Sequence, residues 1–212
     1  GRVIPNKKFE TVIRAFHVYR TRHNPRSRLL LVGSYSGFER YLSMLQELAA
    51  KLGTPDVHFL GHVANEELTA LYDIADLFLC ASAHEGFCVP LIEAFSKRIP
   101  VLAYASTAVP ATMDGGGVLY DTTDPLEIAR LMAAVLDAPE VEDAILQSQE
   151  STLAVSGAAA RVAEGGAENV PLVRMGEREA ALSQLHAAGF QLGATVVRGG
   201  DIVGDHRVIF AG

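Results

Sequence analysis

The chain has 212 residues, 49% of them hydrophobic and 20% charged, enough for one large domain, or one ordinary domain and a small appendage, around a sizeable core. Its formal charge of −7 is uneven: residues 1–106 carry 12 Lys and Arg against 10 Asp and Glu, and residues 107–212 carry 6 against 15. The acidic second half argues against nucleic-acid binding, the two cysteines lack the C-x-x-C spacing of a zinc site or a disulfide framework, and no apolar run reaches the roughly 18 residues of a membrane span.

No secretory leader opens the sequence, so a reducing, cytoplasmic setting is expected. Gly1-Arg2 reads as the end of a strand whose beginning lies outside the chain. Helical spacing of Phe9, Val12, Ile13, Phe16 and Tyr19 precedes the apolar run Arg28–Gly33. An amphipathic stretch at 38–52 leads to a short strand at 57–61. A helix follows at 65–75, with Asn65 as its expected N-cap ahead of Glu66 and Glu67. Then come a strand at 76–82, a helix from about Pro90, strands at 99–106 and 117–121, and a helix at 125–137. Short, nearly continuous apolar strands between helices predict an α/β fold: a doubly wound parallel sheet covered on both faces. Ligands of such sheets sit beyond the carboxyl ends of the strands, which is where the loop after residue 80 falls.

That loop and its helix read CASAHEGFCVPLIEAFS over residues 80–96. Gly86 permits close backbone approach, and Pro90 suits a first helical turn because its missing N–H costs nothing there. The N–H groups of Phe87, Cys88 and Val89 would then form an anion site fit for a phosphate or diphosphate. Glu85 lies before the turn and Glu93 about one helical turn into the helix. By spacing alone Glu93 either complements the helix dipole or accepts hydrogen bonds from a ribose; Glu85 is either a solvated loop residue or a sugar ligand. A diphosphate flanked by two hydroxyl-bearing rings, as in a nucleotide sugar, fits this layout.

The segment HEGFCVPLIEA resembles the signature of GT-B glycosyltransferases of family 4, in which seven residues separate two glutamates. GRVIPNKKFE is similar to that family's Gly-Arg-x-x-Pro-x-Lys stretch. VHFLGHVANEELTALYDIADLFL and PVLAYASTAVPATMDGGGVLYD resemble its following segments in unbroken order to about residue 137. The resemblance implies the donor-binding, Rossmann-like half of a GT-B fold over 1–137, with its first strand truncated. It implies that Arg2 and Lys7 bind the donor diphosphate and stabilise charge on the leaving group, and that Glu85 stands at the transferred sugar. It further implies that Gly86, Phe87, Cys88 and Val89 present amides, that Glu93 holds the ribose, and that Val63 lies near the base. His62 and His84 are expected only to neighbour these segments. Retaining transfer from a nucleotide-diphosphate sugar is implied, with no metal and no cofactor. Its partners would be the nucleotide sugar and an acceptor-binding domain that the chain lacks. Where the family has Pro-Glu, the chain has Pro110-Ala111.

Residues 138–155 are expected as a linker, and 156–212 as a small α+β appendage with a helix at 177–188 and a β-rich end from 190. GFQLGATVVRGGDIVGDHRVIFAG resembles the C-terminal region of dihydrodipicolinate reductase, and AVSGAAARVAEG is faintly similar to its substrate segment. That family's lysine before the Ser-Gly is absent, since no lysine follows Lys97, and so is its Gly-x-Gly-x-x-Gly segment. The tail is therefore expected to offer strand edges for self-association rather than reductase chemistry. Three readings result: donor half of a transferase, nucleotide-sugar-binding module without catalysis, or reductase remnant.

Overall fold

The computed structural model describes residues 2–156, 197–198, 201–202 and 207–211. A 3-10 turn at Pro5–Lys7 leads to α1 (Phe9–Arg22), β1 (Arg28–Val32), α2 (Glu39–Lys51), β2 (Val57–Gly61), α3 (Asn65–Asp73) and β3 (Leu77–Cys80). Then come α4 (Val89–Ser96), β4 (Val101–Tyr104), α5 (Val109–Met113), β5 (Val118–Tyr120), α6 (Pro125–Asp137) and α7 (Pro139–Ser156). Short strands β6 (Val197–Arg198) and β7 (Asp201–Ile202) pair antiparallel, and β8 (Val208–Ala211) ends the described chain.

The main sheet has the order β2-β1-β8-β3-β4-β5 and every neighbouring pair is parallel. Successive strand residues point to opposite faces, and both faces are covered. Leu30, Phe78, Cys80, Val101 and Phe210 pack against α3, α4 and α5. Leu29, Leu31, Leu77, Leu102 and Ile209 pack against α1, α2 and α6. The doubly wound fold expected from the alternating apolar runs is the one observed.

β8 is where the chain departs from expectation. Residues 208–211, assigned to a separate appendage, form the central strand, between β1 and β3. The strand that was expected to be missing is thus supplied from the far end of the sequence. Asp76 fixes its start: the Asp76 N–H donates to the Val208 carbonyl at 2.8 Å, and Asp76 Oδ2 accepts from the Val208 N–H at 2.6 Å. At its other end Ala211 stands opposite Leu31; just beyond, Ser34 makes a parallel bridge with Arg2. Arg2 therefore continues the line of β8 along the same edge of β1. Burial of Val208, Ile209 and Phe210, none more than 7% exposed, stabilises the sheet by about 1.5–3 kcal/mol per side chain. In this position 208–211 has no free edge, so it offers none for self-association. The likeness of this segment to dihydrodipicolinate reductase finds no support in a strand that completes the sheet of the first 120 residues.

The expected linker is also ordered. Residues 139–156 form α7, which packs against α4 and α6. Gln149 is buried: its Oε1 accepts from the Val101 N–H at 2.9 Å and its Nε2 donates to the Ile99 carbonyl at 2.9 Å, tying α7 to the start of β4. The N-cap of α3 is Ala64 rather than Asn65. Alanine has no acceptor, so only the Glu67 half of a capping box is made, with its carboxylate accepting from the Ala64 N–H at 2.8 Å. The helix expected at 177–188 lies outside the described residues.

Candidate functional site

The 81–88 loop leaves β3 at the carboxyl edge of the sheet beside β8, where successive strands begin to be added in the opposite direction. This is the switch point at which doubly wound sheets open a crevice. Two neighbouring segments fix its course. From the turn before α1, the Asn6 carbonyl accepts from the Ala83 N–H at 2.8 Å and Asn6 Nδ2 donates to the His84 carbonyl at 3.1 Å. From the segment after β4, Ser106 Oγ donates to the Ser82 carbonyl at 2.5 Å. Thr107 Oγ1 accepts from the Glu85 N–H at 2.8 Å and donates to the Glu85 carbonyl at 3.0 Å. Thr112 Oγ1, from α5, donates to the Phe87 carbonyl at 2.5 Å.

These contacts occupy the carbonyls and leave the amides. Among the described residues no acceptor meets the N–H of Gly86, Phe87, Cys88 or Val89, and no side chain caps α4. Cys88 adopts a left-handed conformation (φ 63°) as N-cap, and Pro90 follows in the first turn as expected. Gly86 is not at positive φ, and a Cβ there would meet nothing within 4 Å, so the fold itself does not require a glycine at this point. Four amides without an acceptor among the described residues, the positive end of α4 and an unfilled space beside Gly86 together present hydrogen-bond donors and partial positive charge at one mouth.

Lys7 and Glu85 meet at this mouth. Lys7 Nζ lies 2.7 Å from Glu85 Oε1, and each side chain is only 11% exposed. Burial by itself would push the Lys7 ammonium down; the Glu85 hydrogen bond and the surrounding negative charge outweigh it and hold the ammonium above its ordinary range. Arg2 does not join this pair: it is exposed, with its guanidinium over the Phe38 ring at 5.4 Å from the centroid. A cavity of about 250 Å³ opens at the same strand ends, lined among others by Lys8, Thr11, Ala83, Tyr104 and Thr122.

Glu93 is half-buried on α4 and accepts a hydrogen bond from Tyr72 Oη at 2.8 Å. Burial, reinforced by the Glu93 charge, pushes the Tyr72 phenol far up, so it stays a donor and keeps the carboxylate in one orientation. Lys97, with its side chain wholly buried, pairs with Asp73 at 2.5 Å and fixes α4 against α3 at the same level. Val63 is buried in the core face that also holds Tyr72 and Cys88, while His62 and His84 are exposed. Ala111, the departure from the resembled pattern, is exposed on α5.

Sequence reading missed Asn6, Tyr72, Thr107 and Thr112, which hold the loop and Glu93 without lying inside the glutamate signature. Only Asn6, one residue before Lys7, carried a positional signal.

The family model described as "Glycosyl transferases group 1" matches residues 1–150. The D-inositol 3-phosphate glycosyltransferase of Salinispora arenicola (strain CNS-205) is 38% identical over 144 residues, covering 64% of this chain and 32% of that protein. The O-antigen chain mannosyltransferase B of Escherichia coli is 31% identical over 125 residues, covering 58% and 32%. The chain thus spans about a third of the length of these curated relatives. Of solved structures, the C-terminal domain of the glycosyl transferase group 1 family protein LpcC from Francisella tularensis matches with a TM-score of 0.64 at 22% identity, over 74% of this chain and 83% of that one. Anabaena Alr3699/HepE in complex with UDP and glucose matches with a TM-score of 0.63 at 24% identity, over 78% and 46%. The structural likenesses support the fold alone, whereas the family model covers most of the chain: it belongs to the glycosyl transferases group 1 family.

Proposed function

We propose that the chain binds a nucleotide-diphosphate sugar as donor for retaining glycosyl transfer, without a metal or cofactor. The carrying observation is the row of amides from Gly86 to Val89, without an acceptor among the described residues, between the Lys7–Glu85 pair and the Tyr72-held Glu93. The diphosphate takes the amides and the helix end. Glu93 accepts from the ribose hydroxyls, Glu85 from those of the sugar, and Val63 lies on the base side. Arg2, supported on Phe38, adds a second positive charge. When the bond from the anomeric carbon to the diphosphate oxygen breaks, negative charge grows on the departing group. The Lys7 ammonium and the amides are already oriented to meet it, so no solvent need reorganise. In the free protein Glu85 neutralises Lys7; the sugar hydroxyls draw Glu85 away from it as the diphosphate arrives.

Transfer also needs an acceptor-bearing wall facing these residues. Titration calorimetry with UDP, GDP and ADP beside their monophosphates tests the reading. One diphosphate should bind at least about tenfold more tightly than its monophosphate, the worth of one lost charge-assisted hydrogen bond or more. Equal affinity for the two would refute it.

A further inference from the structure

The cavity of about 250 Å³ at the strand ends takes no part in the proposed function. Its walls come from the first turn of α1, the residues after β3, and the ends of β4 and β5 with the segment that follows. One wall is aromatic. Tyr120 is buried, its Oη donates to the Cys80 carbonyl at 3.0 Å, and the half-buried Tyr104 ring lies beside it at 5.7 Å between centroids. Another wall is polar. Tyr41 Oη accepts from the Phe9 N–H at 3.2 Å and donates to Glu10 Oε2 at 2.5 Å. Burial, reinforced by Glu10, pushes the Tyr41 phenol far up, so it stays a donor and fixes this carboxylate as Tyr72 fixes Glu93. Glu10 Oε1 lies 3.8 Å from Lys8 Nζ, beyond hydrogen-bond reach, and keeps its capacity to accept. The hydroxyls of Thr11, Tyr104 and Thr123 make no hydrogen bond among the described residues. A first-turn glutamate complements the helix dipole, which accounts for Glu10 but not for a tyrosine holding it at the wall of a cavity.

We propose that this cavity binds one neutral, hydroxyl-bearing six-membered ring, a sugar or a cyclitol, and does so while the nucleotide diphosphate is bound. At about 250 Å³ the space falls below the roughly 300–1,000 Å³ of drug-sized sites, so it takes one ring and not a nucleotide. Lys8 and Glu10 cancel in charge, which favours a neutral ligand, and a phosphate here would meet the Glu10 carboxylate. Glu10 Oε1 accepts from one ring hydroxyl, the threonine hydroxyls donate to or accept from others, and the tyrosine pair covers the C–H face of the ring. Ala81 and Ala83, on the third wall, are too short to fill the space. Ala83 shares its loop with Glu85, and Lys8 follows Lys7, so the bound ring neighbours the donor sugar, as an acceptor's ring must.

Simultaneous occupancy rests on the diphosphate reading; ring binding does not, and the experiment reads them separately. The full chain, labelled with nitrogen-15 and assigned, is titrated with methyl α-D-mannopyranoside, methyl α-D-glucopyranoside and myo-inositol, each without and with saturating UDP. At least one ring should shift the amides of Thr11, Ala81, Ala83 and Thr123 saturably, with a dissociation constant of about 10 mM or tighter, and equally well with UDP present. Glu10→Gln keeps an acceptor for Tyr41 but removes the charge; ring affinity should fall at least about fivefold while UDP affinity holds. Thr123→Val, at an exposed position where the fold is not at risk, should weaken the ring about threefold. No saturable shift with any of the three rings, shifts confined to residues 85–93, displacement of the ring by UDP, or parent-like ring affinity in both variants overturns the proposal. No UDP binding by the parent removes the diphosphate reading and simultaneous occupancy together, while the ring titrations still decide the cavity.

Discussion

Phe210→Ala tests whether the last described strand truly lies at the centre of the sheet. Phe210 is 1% exposed, and its ring packs at 4.6 Å from Tyr72 and 5.5 Å from Phe78, centroid to centroid. Truncating a phenylalanine so enclosed costs about 3–5 kcal/mol in transfer free energy and residual cavity. Relaxation is limited because β1 and β3 hold the strand on both sides, so about 4 kcal/mol is expected. That is a large part of the roughly 5–15 kcal/mol that stabilises a typical domain. In urea unfolding followed by circular dichroism, a slope near 2 kcal/mol per molar puts the midpoint about 2 M lower. Val155→Ala, at a side chain 82% exposed, is the control and should stay within about 0.5 kcal/mol. A loss below about 1 kcal/mol for Phe210→Ala would mean that the slot between β1 and β3 is not filled by this strand.

Because Arg2 continues the line of β8, a rearranged chain with residues 207–212 placed directly before Gly1 and ending at Ser156 should fold and bind the same nucleotide; a chain lacking 207–212 altogether should not fold cooperatively. Circular dichroism with thermal melting distinguishes them, and a cooperative melt in the deletion would contradict the register. Tyr72→Phe removes the donor that orients Glu93, so nucleotide affinity should fall about fivefold, the equivalent of about 1 kcal/mol, with the melting temperature little changed; unchanged affinity would detach Glu93 from the ligand. Burial lowers the His58 imidazole below its ordinary 6.5, with Asp56 opposing and Arg28 adding to the effect. The unfolded chain therefore takes up the proton first. Stability is full above 6.5 and is lost as the pH falls below it. Urea midpoints at pH 7.5 and 5.5 should differ less in His58→Gln than in the parent, and an undiminished difference would assign the slope elsewhere.

Strand runs such as Arg28–Val32 and Leu77–Cys80 were legible because a sheet covered on both faces needs apolar residues at consecutive positions. The start of α4 was legible for a local reason too, since Pro90 and Gly86 mark a turn into a helix. β8 was not. Val208–Ala211 reads as a strand anywhere, but its place depends on Asp76, 132 residues away, and on a slot that no local pattern announces. α7 was mistaken for a linker because its Ala, Ser and Gln residues show little periodicity. Pro139 at its start and Glu140 and Glu142 in its first turn were the available signals. Tyr72 and Thr107 show the same limit at the site: each acts through one hydrogen bond formed only once the chain has folded.

The most direct measurement is titration of the preferred diphosphate nucleotide into the intact protein, Lys7→Ala and Glu93→Ala, at matched ionic strength. Each substitution should weaken binding at least about tenfold, the loss of one hydrogen bond to a charged group, while circular dichroism stays unchanged. Parent-like affinity in both, with the fold intact, would contradict the account.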